Sequence, residues 1–330
     1  MNKNRRSFIK NTAAISLGSA LLPSIPLMAD DTATIGIIGL DTSHSVAFTR
    51  FINSGEFPQE GKPFKVKLAC RCGSKTIPSS YERIPEYEKG VKELGVEVLN
   101  SIEEVVEKSD AILLETNDGK LHLEQAKIVL KSGKPVFIDK PVAAQIKEVY
   151  EIYELAEKYK SPMFSSSSLR YLNNIEEIRN EGLIGDVIGA DAYSPIDFEP
   201  SHSDFYWYGI HGMEILFAVM GTGCEYVQTE EKGDFIFVKA VWKDGRVGNF
   251  RGDLKKRQQY GGMAYGTKSV QPLGPFSGYG NMMPALLKFF KTGIAPVDHK
   301  ETLELYTCME AAAISRRSKG KAISLDKIRP

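Results

Sequence analysis

Cysteine is scarce in this chain: Cys70, Cys72, Cys224 and Cys308 are the four in 330 residues, too few to staple a fold of this size with disulfides. Cys70 and Cys72 stand two apart on an expected strand, so their side chains leave opposite faces and neither pair nor chelate together. No Cys/His spacing of a zinc site occurs, so no metal is expected. An excess of charge of one sign is also lacking, because basic and acidic side chains number 42 each. With no basic stripe or run in the body of the chain, nucleic acid and anionic membrane surfaces are excluded as expected partners. Internal repeats and low-complexity segments are absent. What remains, 42% hydrophobic and 25% charged, is the composition of a globular chain of about two domains, whose expected partners are small molecules.

One apolar run stands out at the front. Asn4-Arg5-Arg6-Ser7-Phe8-Ile9-Lys10 precedes the stretch from Ala13 to Met28, and Leu27-Met28-Ala29 before Asp30 has the form of a cleavage site. The run is short for a bilayer and is interrupted by Gly18, Pro23 and Pro26. The pattern is that of a twin-arginine export signal over residues 1–29, which predicts a periplasmic protein with no stable membrane insertion after processing. Removing Lys3, Arg5, Arg6 and Lys10 with that segment leaves the rest of the chain four charges negative.

From residue 30 to about 168, strand-like apolar runs alternate with amphipathic helical stretches, the signature of a parallel sheet wrapped by helices. The expected strands are Thr34 to Ile38, Phe64 to Cys70, Val96 to Leu99, Ala111 to Glu115, Val136 to Ile138 and Met163 to Ser165. Ser101 followed by Glu103 and Glu104 places an N-cap and acids at a helix start. After Arg170 the rhythm becomes that of an α+β half, residues 169–330. It has a strand from Val187 to Ala192, a helix from Gly209 to Met220, then strands Phe235 to Trp242 and Arg246 to Arg251 in a mainly antiparallel pattern. Glycine-rich segments from Gly261 to Gly280 read as active-site or assembly loops, and helices Met283 to Lys291 and Lys300 to Arg317 follow, the last expected to pack back on the first half.

The sharpest motif is Gly133-Lys134-Pro135-Val136-Phe137-Ile138-Asp139-Lys140-Pro141. A short, continuously apolar strand covered on both faces delivers Lys140 at its carboxyl end, where ligands gather in open α/β sheets. Lys140 is the first candidate for chemistry; an ordinary surface lysine before a turn proline is the plain alternative. At the end of the first strand, a dinucleotide fingerprint would place glycine at 39, 41 and 44. Here the sequence is Gly39-Leu40-Asp41-Thr42-Ser43-His44, so only Gly39 obeys. Asp41 opposes a diphosphate unless it turns away or bonds the loop, while backbone amides at Thr42 and Ser43 offer a helix N-terminus to phosphate. The second strand ends in Cys70-Arg71-Cys72-Gly73-Ser74-Lys75 instead of an acid, so Arg71 and Ser74 lean weakly toward the 2′-phosphate of NADP over NAD. Asn117 or Asp118 reads as an N-cap, and His122 either lines a nicotinamide or packs under the loop.

In the second half, Tyr206-Trp207-Tyr208-Gly209-Ile210-His211-Gly212-Met213-Glu214 opens an apolar helix. His211 and Glu214 are three apart on one face, so the carboxylate is placed to orient the imidazole, and histidine suits reversible proton transfer. Tyr206, Trp207 and Tyr208, with His202, form either a carbohydrate-facing lip or interface packing.

Taken in order, Asp139-Lys140-Pro141, Leu121-His122 and Gly209 to Glu214, together with Pro296-Val297, Glu301 and Glu310-Ala311-Ala312, resemble the Gfo/Idh/MocA oxidoreductases over nearly the whole exported chain. The resemblance implies a Rossmann domain joined to a large, mainly antiparallel sheet domain that serves substrate binding and homo-oligomerisation, with NAD(P) and a sugar, polyol or related substrate meeting between them. It implies that Lys140 is the catalytic lysine and His211 the catalytic histidine. Trp207 stands where family members often carry an aspartate, leaving Glu214 or Asp204 to substitute. Export already folded implies a cofactor retained and recycled internally. The readings that follow are a dehydrogenase of a secondary hydroxyl, a redox-neutral cleavage of glycosides through a bound cofactor, or a non-catalytic sugar- or cofactor-binding protein.

Overall fold

The computed structural model describes residues 32–57 and 62–328; the expected export signal lies outside them. The first half runs β1 (Ala33–Ile38), α1 (Ser43–Ser54), β2 (Phe64–Cys70), α2 (Pro78–Tyr81), α3 (Ile84–Glu93), β3 (Glu97–Leu99), α4 (Ile102–Lys108), β4 (Ala111–Leu114), α5 (His122–Val129), β5 (Val136–Ile138), α6 (Ile146–Tyr159) and β6 (Met163–Phe164). These strands form one parallel sheet in the order β3-β2-β1-β4-β5-β6. The order reverses between β1 and β4, and the crevice outside the strand ends at such a switch point is where α/β sheets bind ligands. β4 and β5 are wholly buried, as strands covered on both faces must be. The side chain of Thr42 caps α1, Gly55 ends it at φ 78°, and Ser101 accepts from the Glu104 amide to start α4, as its sequence predicts.

The second half continues α7 (Ile175–Asn180), β7 (Val187–Pro195), α8 (Ile210–Met220), β8 (Cys224–Lys232), β9 (Phe235–Trp242), β10 (Val247–Asp253), β11 (Gly261–Gly266), β12 (Val270–Leu273), α9 (Met283–Thr292), α10 (His299–Arg317) and β13 (Ile323–Ser324). Its seven strands lie in the order β12-β11-β7-β10-β9-β8-β13, antiparallel except for the β7–β10 pair. Every residue of α8 is buried, because the helix packs on β7 and β10 on one side and on α10 on another.

Part of the segment expected to be loop is strand. β11 and β12 occupy Gly261–Gly266 and Val270–Leu273, and the glycines there serve close packing: a Cβ on Gly262 would sit 2.1 Å from the Asp191 carbonyl of β7. Composition alone reads glycine as turn; here it lets two strands approach.

The described residues form a single compact unit. Two segments from the carboxyl end bind the halves together. Met282 to Phe290 share one core with Ile35, Ile37, Phe48 and Phe137 of the parallel sheet and its first helix. α10 packs against α6, and the Tyr306 hydroxyl accepts from the Val142 amide at 2.7 Å, two residues beyond Lys140.

Candidate active site

Three strand ends and one helix from the other half converge on a single crevice. Asp139 and Lys140 follow directly on β5, Glu115 and Thr116 follow directly on β4, and β1 leads through the Gly39 turn to His44 at the start of α1. α8 brings His211 to the same place. Lys140 is 9% exposed, and its Nζ lies 3.9 Å from Asp139 Oδ2. Asp139 Oδ2 in turn meets His44 Nδ1 at 2.7 Å. Burial works against the Asp139 charge, yet His44 and Lys140 beside it hold the carboxyl down to about 2. Glu115 is the opposite case. Burial, and then the charge on Asp139, push it well above the usual carboxylate range.

His211, 8% exposed, has Nδ1 at 2.8 Å from Ser167 Oγ. Burial, and after it the electrostatic influence of the neighbouring Lys140 and His44, depress its pKa well below the usual imidazole value, so the ring is neutral at physiological pH and free to accept a proton. Glu214 does not hold this ring, in contrast to the sequence expectation. Its carboxylate takes Arg170 Nε at 2.6 Å and the Ser167 amide at 3.2 Å. Arg170 also reaches Glu301, which pairs with Arg179. A buried guanidinium claims a carboxylate more strongly than a neutral ring does, so Glu214 buttresses the turn that carries Ser167. Asp204, the other substitute, is occupied with Arg316 at 3.1 Å.

The β1–α1 turn departs from a three-glycine fingerprint in a specific way. Gly39 has φ 105°, and a Cβ there would meet the Thr116 backbone at 2.4 Å. Asp41 has turned into the loops, where its two oxygens accept from the Ser74 and Asn117 amides, each at 2.9 Å. It therefore does not face the helix N-terminus. Burial raises its pKa, against the lowering effect of those amides. Thr42 caps the helix, Ser43 begins it, and His44 stands in the third glycine's place.

Other expected cofactor contacts are committed elsewhere. Ser74 donates to Asp118 at 2.7 Å and Arg71 pairs with Glu88 at 3.2 Å, so the arrangement does not single out NADP. Asn117 donates to Ser80 at 2.8 Å. His122 is buried, with its two nitrogens at 3.1 Å from the Val142 carbonyl and 2.6 Å from the Thr116 carbonyl, and so packs beneath the loops. Among the aromatics, Tyr206 is fully buried and donates to the Tyr306 carbonyl. Trp207 lies 5.1 Å from the His202 ring. Tyr208 alone of the three meets His211, edge-on with centroids 5.1 Å apart. Tyr260, whose hydroxyl donates to that of Tyr208 at 3.3 Å, also meets His211 edge-on with centroids 5.6 Å apart, and Tyr279 meets His44 at 4.9 Å. Sequence reading missed these two because glycine-rich surroundings masked them, and it missed Ser167 because a serine run carries no pattern.

Residues 35–166 match the model of the Gfo/Idh/MocA family, described as an oxidoreductase family with an NAD-binding Rossmann fold. The parallel-sheet half of the chain thus matches the Gfo/Idh/MocA oxidoreductases. An uncharacterized oxidoreductase of Streptococcus pneumoniae serotype 4 is 28% identical over 116 residues, a match spanning 34% of this chain and 30% of that protein. A myo-inositol dehydrogenase from Corynebacterium glutamicum shares the fold with a TM-score of 0.70, covering 89% of this chain and 99% of that one at 13% identity. GenD2 from gentamicin A biosynthesis, solved in complex with NAD, has a TM-score of 0.69, covering 94% and 99% at 11% identity. The likeness to these solved structures extends over both the parallel sheet and the second sheet of this chain. No helix among the described residues is long and apolar enough to cross a membrane.

Proposed function

We propose that this chain is a nicotinamide-dependent dehydrogenase of a secondary hydroxyl on a sugar, polyol or glycoside. The observation that carries the reading is the pairing of a lysine and a neutral, buried histidine on one crevice, each delivered by a different half of the molecule. Lys140 donates to the hydroxyl oxygen and favours its loss of a proton; His211, held by Ser167, takes that proton. The bound nicotinamide supplies the hydride acceptor. The residues fit such a cofactor: the N-terminus of α1 at Thr42 and Ser43 suits the diphosphate, since Asp41 is bonded away from it. The buried Thr116 hydroxyl, which has no hydrogen-bond partner, together with Lys140, suits the nicotinamide ribose.

Retention of the cofactor, export through the twin-arginine route and self-association through the open face of the second sheet belong to the same proposal. Tyr193 and Phe237, 39% and 40% exposed on that face, support the last. Mass spectrometry of the denatured full chain is expected to release NAD(H) or NADP(H), and a sugar and polyol panel is expected to change its reduced-nicotinamide absorbance. A chain that neither carries nor binds nicotinamide on titration is not a dehydrogenase. Cell fractionation and sedimentation are expected to give a periplasmic oligomer; a cytoplasmic or monomeric chain removes those parts.

A further inference from the structure

One cluster in the crevice is not used by the hydroxyl chemistry. His44 at the start of α1, and Glu115 and Asp139 just beyond β4 and β5, each offer one ligand atom within 4.8 Å of the other two. Two donors each about 2.1 Å from one ion stand at most about 4.2 Å apart. The His44 to Asp139 and His44 to Glu115 separations of 2.7 and 4.0 Å fall inside that bound, and a small side-chain rotation brings in the widest pair.

A second observation points independently to a missing partner. Glu115 is 0% exposed, and neither of its carboxylate oxygens has a hydrogen-bond partner, although Oε2 is directed at the cluster, 4.0 Å from His44 Nδ1. Buried carboxylates are ordinarily hydrogen-bonded or paired, since an unsatisfied one bears its full desolvation penalty. Lys140 does not satisfy it, being placed beside Asp139. The cluster also accounts for two residues that a dinucleotide fold leaves unexplained: a histidine where the fingerprint has glycine, and an acid directly after β4.

We propose that His44, Glu115 and Asp139 form a binding site for one divalent transition-metal cation at the mouth of the Rossmann sheet. One imidazole nitrogen and two carboxylate oxygens suit zinc, manganese or iron more than calcium, which takes six to eight oxygens. Three ligands on one side leave the remaining coordination positions facing the crevice of Lys140 and His211, where an ion polarises a hydroxyl or carbonyl oxygen. His44 gives up its hydrogen bond to Asp139 when both turn to the ion. The site does not rest on the dehydrogenase reading, because it needs no dinucleotide.

Full-length processed protein, stripped with chelator and dialysed against Zn²⁺ or Mn²⁺, is expected to hold one ion per chain by elemental analysis, with saturable binding by calorimetry. Glu115→Gln and His44→Gly are each expected to weaken binding roughly ten- to a hundredfold or more. Circular dichroism checks that both variants fold, and Asp139→Asn serves if either does not. A wild-type chain that binds neither ion, or folded variants that bind as tightly as wild type, overturns the site. Nicotinamide binding is read separately, so loss of the dehydrogenase reading leaves this result intact.

Discussion

At the residue scale, the crevice works by placing neutral and charged groups of unequal pKa side by side. His211 loses its charge to burial and to the electrostatic influence of the neighbouring Lys140 and His44, which keeps it a base in the range where a free imidazole begins to protonate, near 6.5. The pH profile of kcat/KM is therefore expected to hold flat through neutrality and to fall on its acid side with a midpoint below 6.5; a midpoint at or above that value removes His211 as the base. Stability carries the same sign. Burial lowers His202 to about 4, so its neutral form favours the folded state above the unfolded value near 6.5, and that contribution is lost as pH falls from there through about 4. Urea midpoints are expected to decline across that window, and to decline less in His202→Gln.

At the scale of elements, α8 decides where His211 points. Its Gly212 lets the helix lie directly on the second sheet: a Cβ there would meet the Phe250 ring at 2.1 Å and Ser194 Oγ at 2.9 Å. Gly212→Ala is expected to destabilise the fold by about 1–3 kcal/mol through overpacking, measured by urea unfolding, and to lower turnover as the neighbouring His211 shifts. Unchanged stability would mean that α8 and β10 separate more freely than their burial implies. The strands of the first half were legible in sequence because each is a local apolar run bounded by turns. β11 and β12 were not, because their glycines answer to β7 across the sheet and carry no local strand signal.

At the scale of the whole molecule, the carboxyl-terminal third holds the amino-terminal half in shape. α9 fills the core beneath β1, Tyr279 rests against His44, and the Tyr306 hydroxyl accepts the Val142 amide beyond Lys140. Tyr306→Phe leaves that buried N–H without its partner, which is expected to cost about 1–3 kcal/mol of stability. Because the Lys140 loop loosens, kcat is expected to fall more than KM rises. A Tyr306→Phe enzyme with wild-type stability and kinetics would show that α10 is packing alone.

The sequence by itself determined the parallel sheet, the mainly antiparallel second half, and the positions of Lys140 and His211 as the groups to watch, because hydrophobic period and strand-end placement are local properties. Only the tertiary structure decided what those groups touch. Glu214 faces Arg170 instead of His211, Asp41 bonds loops after β2 and β4, and His44 meets Asp139 from 95 residues away. Such partnerships are fixed by which strand ends lie side by side and by which buried charges find each other, and neither is written in the spacing along the chain.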